Sequence, residues 1–94
     1  MVTVRRNVVE FKFIRPGAAK VYLVGDFNGW RPDEIPMRQA EPGVWTTRLR
    51  LPDGTYRFRY RADGQWYTDF ASFGVEPGPY GPVGVVYVSS KNVD

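Results

Sequence analysis

The chain has 94 residues, 43% of them apolar and 16% aromatic, which fits one small packed domain whose core relies on large rings. Thirteen Lys and Arg against ten Asp and Glu give a formal net charge of +3, too little for a protein that coats DNA, so any strong positive field must come from clustering. Cys and His are both absent, which excludes disulfides, zinc sites of the usual ligand types, a Cys nucleophile and a Ser-His-Asp triad. The opening Met1-Val2-Thr3-Val4-Arg5-Arg6-Asn7 lacks the apolar stretch of a signal peptide, and no run is long enough to span a membrane. A soluble, cytoplasmic protein is the expectation.

Period-two alternation recurs along the chain, and no segment carries a sustained helical stripe. Val9, Phe11 and Phe13 alternate with Glu10 and Lys12, predicting a half-buried strand that ends before Pro16-Gly17. Val21 and Leu23 begin the next strand, which runs into a loop around Asn28 and Gly29. Pro32 and Pro36 then permit only a short or edge strand near residues 35–38. After a turn at Glu41-Pro42-Gly43, residues 44–51 place Trp45, Thr47, Leu49 and Leu51 on one face and Val44, Thr46, Arg48 and Arg50 on the other. Pro52-Asp53-Gly54-Thr55 reads as a hairpin connection to a strand with Tyr56, Phe58, Tyr60 and Ala62 on one face and Arg57, Arg59 and Arg61 opposite. Pairing Leu51 with Tyr56 would set Arg48 against Arg59 and Arg50 against Arg57. Like charges across a ladder are unfavourable, so water, Glu41, Asp69 or a ligand has to compensate.

Asp63-Gly64 is the strongest hairpin dipeptide in the chain. It sets Ala62 opposite Gln65, Arg61 opposite Trp66, Tyr60 opposite Tyr67 and Arg59 opposite Thr68, so Trp66 projects from the arginine face, where it either meets a ligand or covers arginine stems. From Asp69 to Val83 the Gly- and Pro-rich sequence, with Phe70, Phe73 and Tyr80, reads as a long irregular loop. Residues 85–89 return as a terminal strand, and the ends, near 1–6 and 90–94, read as frayed. About seven short strands imply an all-β, immunoglobulin-like sandwich occupying residues 1–94 as one domain.

Two tryptophans each close a turn signal, Gly25-Asp26-Phe27-Asn28-Gly29-Trp30 and Asp63-Gly64-Gln65-Trp66. An indole face carries partial negative charge and suits the C–H face of a sugar, a nucleobase or a cation. These two motifs, with Gly43-Val44-Trp45 and the run Leu51-Pro52-Asp53-Gly54-Thr55-Tyr56-Arg57-Phe58-Arg59-Tyr60, stand in an order that resembles carbohydrate-binding module family 48. That family includes domains preceding the barrels of isoamylases, pullulanases and glycogen branching enzymes, and the glycogen-binding domain of the AMP-activated kinase beta subunit. The resemblance covers residues 8–89. It implies that Trp30 and Trp66 stack on glucose rings and that Arg59, at the place of a basic residue in the family, hydrogen-bonds sugar hydroxyls. Where glycogen-binding members carry polar loop residues, this chain reads Pro79-Tyr80-Gly81-Pro82-Val83-Gly84, and Tyr80 becomes the candidate for an extra ring or hydroxyl.

The function implied is a non-catalytic α-glucan binding module for glycogen, starch or maltooligosaccharides, with no cofactor and no metal, serving a fused or separate enzyme or a kinase-like partner. The alternative is a protein-interaction or regulatory domain of the same fold that has lost sugar binding. Single-stranded nucleic-acid binding through Arg and Trp stacking is disfavoured by the modest charge, and no membrane partner is expected. Asp26, Asp63 and Asp69 resemble a carboxylate pair for glycoside hydrolysis only superficially, since Asp26 and Asp63 stand where turns want Asp.

Overall fold

The computed structural model describes residues 1–91. Ten strands alternate inward and outward residues and form two antiparallel sheets packed as an immunoglobulin-like sandwich. They are β1 (Val2–Arg5), β2 (Val8–Ile14), β3 (Val21–Gly25), β4 (Ile35–Pro36), β5 (Arg38–Glu41), β6 (Val44–Arg50), β7 (Gly54–Ala62), β8 (Gln65–Tyr67), β9 (Gly74–Gly78) and β10 (Gly81–Val88). The smaller sheet runs β1-β2-β6-β5 and the larger β4-β3-β7-β10-β9, with β8 also pairing β7. Among the described residues no helix is long and apolar enough to cross a membrane.

The inward rings meet between the sheets. Phe11 of β2 packs edge-on to Phe58 of β7 at 4.9 Å, and Phe13 stacks on Tyr60 at 4.5 Å. Val9, Phe11, Leu23, Phe58, Tyr60 and Val86 have no solvent exposure. Asp69 is buried among them, accepting the Tyr60 hydroxyl at 2.7 Å and the amino group of Met1. Burial, with the Asp69 carboxylate second, pushes the Tyr60 phenol far above its ordinary range.

Four sequence expectations are corrected. Residues 44–51 and 54–62 do not form a hairpin: β6 pairs β2 and β5, whereas β7 pairs β3, β8 and β10 in the other sheet. The connection at Leu51-Pro52-Asp53 is an arch between sheets. Asn7 holds it by donating to the Leu51 carbonyl at 2.8 Å and to Asp53 at 2.9 Å. Arg48 therefore stands opposite Glu10, with which it pairs at 3.1 Å, and not opposite Arg59. The start is not frayed, because β1 pairs β2 from Val2↔Phe11 to Arg5↔Val8. The expected irregular stretch up to Val83 contains strand β9 and the start of β10, joined through Pro79-Tyr80. At the other end, Ser90 donates to Asp53 from both its backbone and its hydroxyl; residues 92–94, also expected to fray, lie outside those described.

The edge segment near 35–38 divides at Met37, so that β4 pairs β3 in the larger sheet and β5 pairs β6 in the smaller. Both outer strands of the larger sheet carry a proline, Pro36 on β4 and Pro77 on β9. Prolines are tolerated there because an edge strand has no ladder to complete on its free side.

Two turn carboxylates link the fold to pH. Backbone N–H groups of Lys20 and Ala19 hold Asp63 below its ordinary value, and the Asn7 amide with the Ser90 N–H does the same for Asp53. A carboxylate with a lowered native pKa contributes stability that is present above the unfolded value, 3.8, and is lost as pH falls through the lowered native one. Urea midpoints are expected to fall with acidification through that window, and less steeply in Asp53→Asn and Asp63→Asn. An unchanged acid slope in both variants would contradict the assignment.

Candidate functional site

The site is built on the outward face of the larger sheet. On β7 the residues opposite the core side are Arg57, Arg59 and Arg61, as alternation requires. The Asp63-Gly64 turn has φ of 49° and 81°, the paired positive values of a type I′ hairpin. Its register gives Ala62↔Gln65, Arg61↔Trp66 and Tyr60↔Tyr67, as the dipeptide predicts, and pairing stops before Arg59 reaches Thr68. Trp66 thus lies on the arginine face. The Arg61 and Arg59 guanidiniums lie over its ring at 5.1 and 5.4 Å, and 37% of the residue stays exposed. Both readings of Trp66 have a physical counterpart here: it covers guanidiniums and still offers surface to solvent.

Trp30 reaches the same face by a tight turn after β3. A 3-10 turn over Asp26–Asn28 follows Gly25, whose N–H donates to Asn28 Oδ1 at 3.1 Å. Gly25 has to be glycine because a Cβ there would stand 2.6 Å from the Arg57 carbonyl oxygen and 2.7 Å from the Phe27 ring. Phe27 points inward, 5.8 Å from Phe11, while Gly29 and Trp30 both take left-handed backbone, with Trp30 at φ 61°. That conformation costs a non-glycine residue about 1–2 kcal/mol. It is held by the Trp30 N–H to the Gly25 carbonyl at 2.9 Å and by the indole Nε1 to Asp26 Oδ1 at 3.1 Å. Asp26 Oδ2 in turn accepts the Arg57 N–H at 2.9 Å, which fixes the indole to β7.

The third wall is the β9–β10 hairpin. Tyr80 stands at its tip with 92% of its surface exposed, and its carbonyl accepts Arg59 Nη1 at 3.4 Å. A Cβ on Gly81 would lie 3.7 Å from the Arg59 guanidinium, so the arginine lies close against this backbone. Arg59 Nε is buried with no hydrogen-bond partner among the described residues. Trp30, Arg59, Trp66 and Tyr80 all line one groove of about 790 Å³.

The sequence reading put Arg57 on this face without naming it as a site residue and missed Glu76, Pro77 and Val83; all four line the groove. Arg57 donates to Glu76 at 2.9 Å, and that partner raises the guanidinium pKa. A short Val-Glu-Pro strand among glycines gives no alternation to detect, and the available signal was Gly78 and Gly81 flanking Pro79-Tyr80. The carboxylates lack the arrangement of a hydrolytic pair: Asp26 is bound to Trp30 and Arg57, Asp63 to Ala19 and Lys20, and Asp69 is buried with Tyr60. Among the described residues no group of three or more acidic side chains could hold a metal.

A family model described as the glycogen recognition site of AMP-activated protein kinase matches residues 7–76. The match ends before the β9–β10 turn that carries Tyr80. Similar curated proteins include 1,4-alpha-glucan branching enzyme GlgB 2 of Xanthomonas campestris pv. campestris, 42% identical over 60 residues, 61% of this chain and 8% of that enzyme. The branching enzyme GlgB of Lactobacillus acidophilus is 32% identical over 90 residues, 90% of this chain and 14% of that enzyme. Protein PTST homolog 2, chloroplastic, of Arabidopsis thaliana is 40% identical over 52 residues, 55% of this chain and 10% of that protein. The chain thus spans only 8–14% of the length of these relatives.

Proposed function

The chain belongs to the family of the glycogen recognition site of AMP-activated protein kinase, and from that premise we propose that its groove binds α-1,4-linked glucan without catalysing a reaction on it. One observation carries the reading: two partly exposed indoles, an arginine and an exposed tyrosine converge on one open groove. The indole faces suit the C–H faces of pyranose rings. Arg59, already oriented by the Tyr80 carbonyl, offers donors to ring hydroxyls, with a fork geometry that differs from a lysine's single ammonium. The left-handed backbone at Trp30 supports the same reading, since strain maintained by several hydrogen bonds concentrates at ligand sites. The branching enzymes among the relatives act on α-glucan by their names, which agrees with the ligand class; the partner that this module serves in a larger assembly is an enzyme of glucan metabolism.

Such a groove stays wet, and an exposed sugar keeps most of its hydration while paying to be ordered. Dissociation constants for maltoheptaose are expected on the order of micromolar to millimolar, or about −8 to −4 kcal/mol. The ligand is neutral, so calorimetry at low and high salt should give nearly the same affinity, whereas a nucleic-acid ligand would lose affinity steeply through counterion release. No new reducing ends should appear in the sugar. Absence of heat in every condition would sink the glucan reading and favour an interaction domain, a reading to which the apolar Pro79-to-Gly84 stretch lends support.

A further inference from the structure

We infer that the outer face of the smaller sheet, on the side of the sandwich away from the groove, is a docking surface for an acidic polypeptide. The strand register assembles it. Arg5, Val8 and Arg50 form one outward row across β1, β2 and β6, and Thr3, Glu10 and Arg48 form the next. Lys12, Thr46 and Arg38 form the third, across β2, β6 and β5. These rows gather five cations and one carboxylate, on a chain whose whole excess is +3. Their carboxylate, Glu10, is already engaged by Arg48. At one end the face opens into a hollow of about 1150 Å³ whose lining includes Arg5, Arg6, Arg48, Arg50 and Ser90 together with Glu10.

The chemistry of this face selects its occupant. Guanidinium forks donate bidentately to carboxylates, and a cluster of one sign steers an oppositely charged partner toward itself. A single-stranded nucleic acid would need ring platforms for its bases, and none of the residues in the three rows is aromatic. Glu10, set between Thr3 and Arg48, would also repel a phosphate backbone lying across the middle row. A polypeptide can place its carboxylates around that point, and the row beyond offers it Ile14, 62% exposed, beside Val44 as an apolar contact, with Glu41 of β5 closing that row as the second carboxylate of the face. Because this face and the groove belong to different sheets, the two ligands do not compete for space.

The test uses the full chain with a fluorescently labelled oligoglutamate peptide, followed by anisotropy at low and moderate salt. Binding is expected, weakening as salt rises. Combined Arg48→Glu and Arg50→Glu should weaken it about tenfold or more. A second pair, Lys12→Glu with Arg38→Glu, addresses the same face from its other end and should act in the same direction. Thermal melts identify the pair that remains folded. Saturating maltoheptaose should leave the peptide bound. An effect below about twofold in a folded variant, or displacement by maltoheptaose, would overturn the inference. So would an oligothymidylate of equal charge that binds more tightly than the peptide and is lost on the same substitutions, which would reassign the face to nucleic acid.

Discussion

Phe58→Ala is expected to cost about 3–5 kcal/mol, read as a lowered urea midpoint at unchanged slope. The ring has no exposed surface, meets Phe11 at 4.9 Å and Tyr60 at 5.6 Å, both edge-on, and fills the space left by Gly84, where a Cβ would stand 3.1 Å from it. Its loss removes one of the ring contacts that join the two sheets and leaves a cavity walled by Phe11 and Tyr60. At roughly 0.05–0.15 kcal/mol per residue, a domain of this size holds about 5–14 kcal/mol in total, so about a fifth or more of its stability goes with one side chain. Arg57 and Arg59 flank Phe58 on β7, and glucan binding should disappear in parallel with the folded fraction. A cost under about 1 kcal/mol would place the centre of the core elsewhere.

Combined Trp30→Ala and Trp66→Ala is expected to weaken glucan binding about a hundredfold or more while leaving the chain folded. Each indole presents a separate ring face to the groove, and the loss of one should weaken binding about tenfold or more, equivalent to about 1.4 kcal/mol. Two such losses multiply to about a hundredfold or more, equivalent to about 2.8 kcal/mol. Stability should change much less, because 38% of Trp30 and 37% of Trp66 are already exposed. Trp30→Ala also removes the partner of Asp26 Oδ1, yet the second oxygen keeps its bond to the Arg57 N–H. If Trp66→Ala alone left the binding heat unaltered, the indole would serve Arg59 and Arg61 and no sugar.

What the sequence revealed depended on whether a local rule had one solution. The Asp63-Gly64 turn has one, and from it the positions of Trp66 and Arg61 across β7 and β8 followed correctly. Alternation likewise identified Trp45, Phe58 and Tyr60 as interior. The partner of β6 was different. A strand satisfied on one face by apolar residues keeps that face inward whether it turns back as a hairpin or arches across to the facing sheet, so parity alone admits both. The arch was decided by Asn7 and Asp53, far apart in sequence, and by Glu10, which takes Arg48 away from any arginine opposite. Strand β9 escaped notice for another reason. Of its residues, Gly-Val-Glu-Pro-Gly, Val75 alone favours a strand, and it exists because β10 offers it a ladder from Gly74↔Val85 to Gly78↔Gly81.

The prolines at the two rims of the larger sheet bear on what happens when many copies are crowded along one polymer. An open strand edge is a template on which a neighbouring copy can add its own strand, the first step toward aggregation. Pro36 and Pro77 each leave the rim one donor short, and the smaller sheet interrupts its β5 rim with an irregularity between Gln39 and Glu41. Copies crowded side by side are thereby discouraged from fusing edge to edge. Recognition is left to the two broad faces, and a dense coat of such modules should remain reversible.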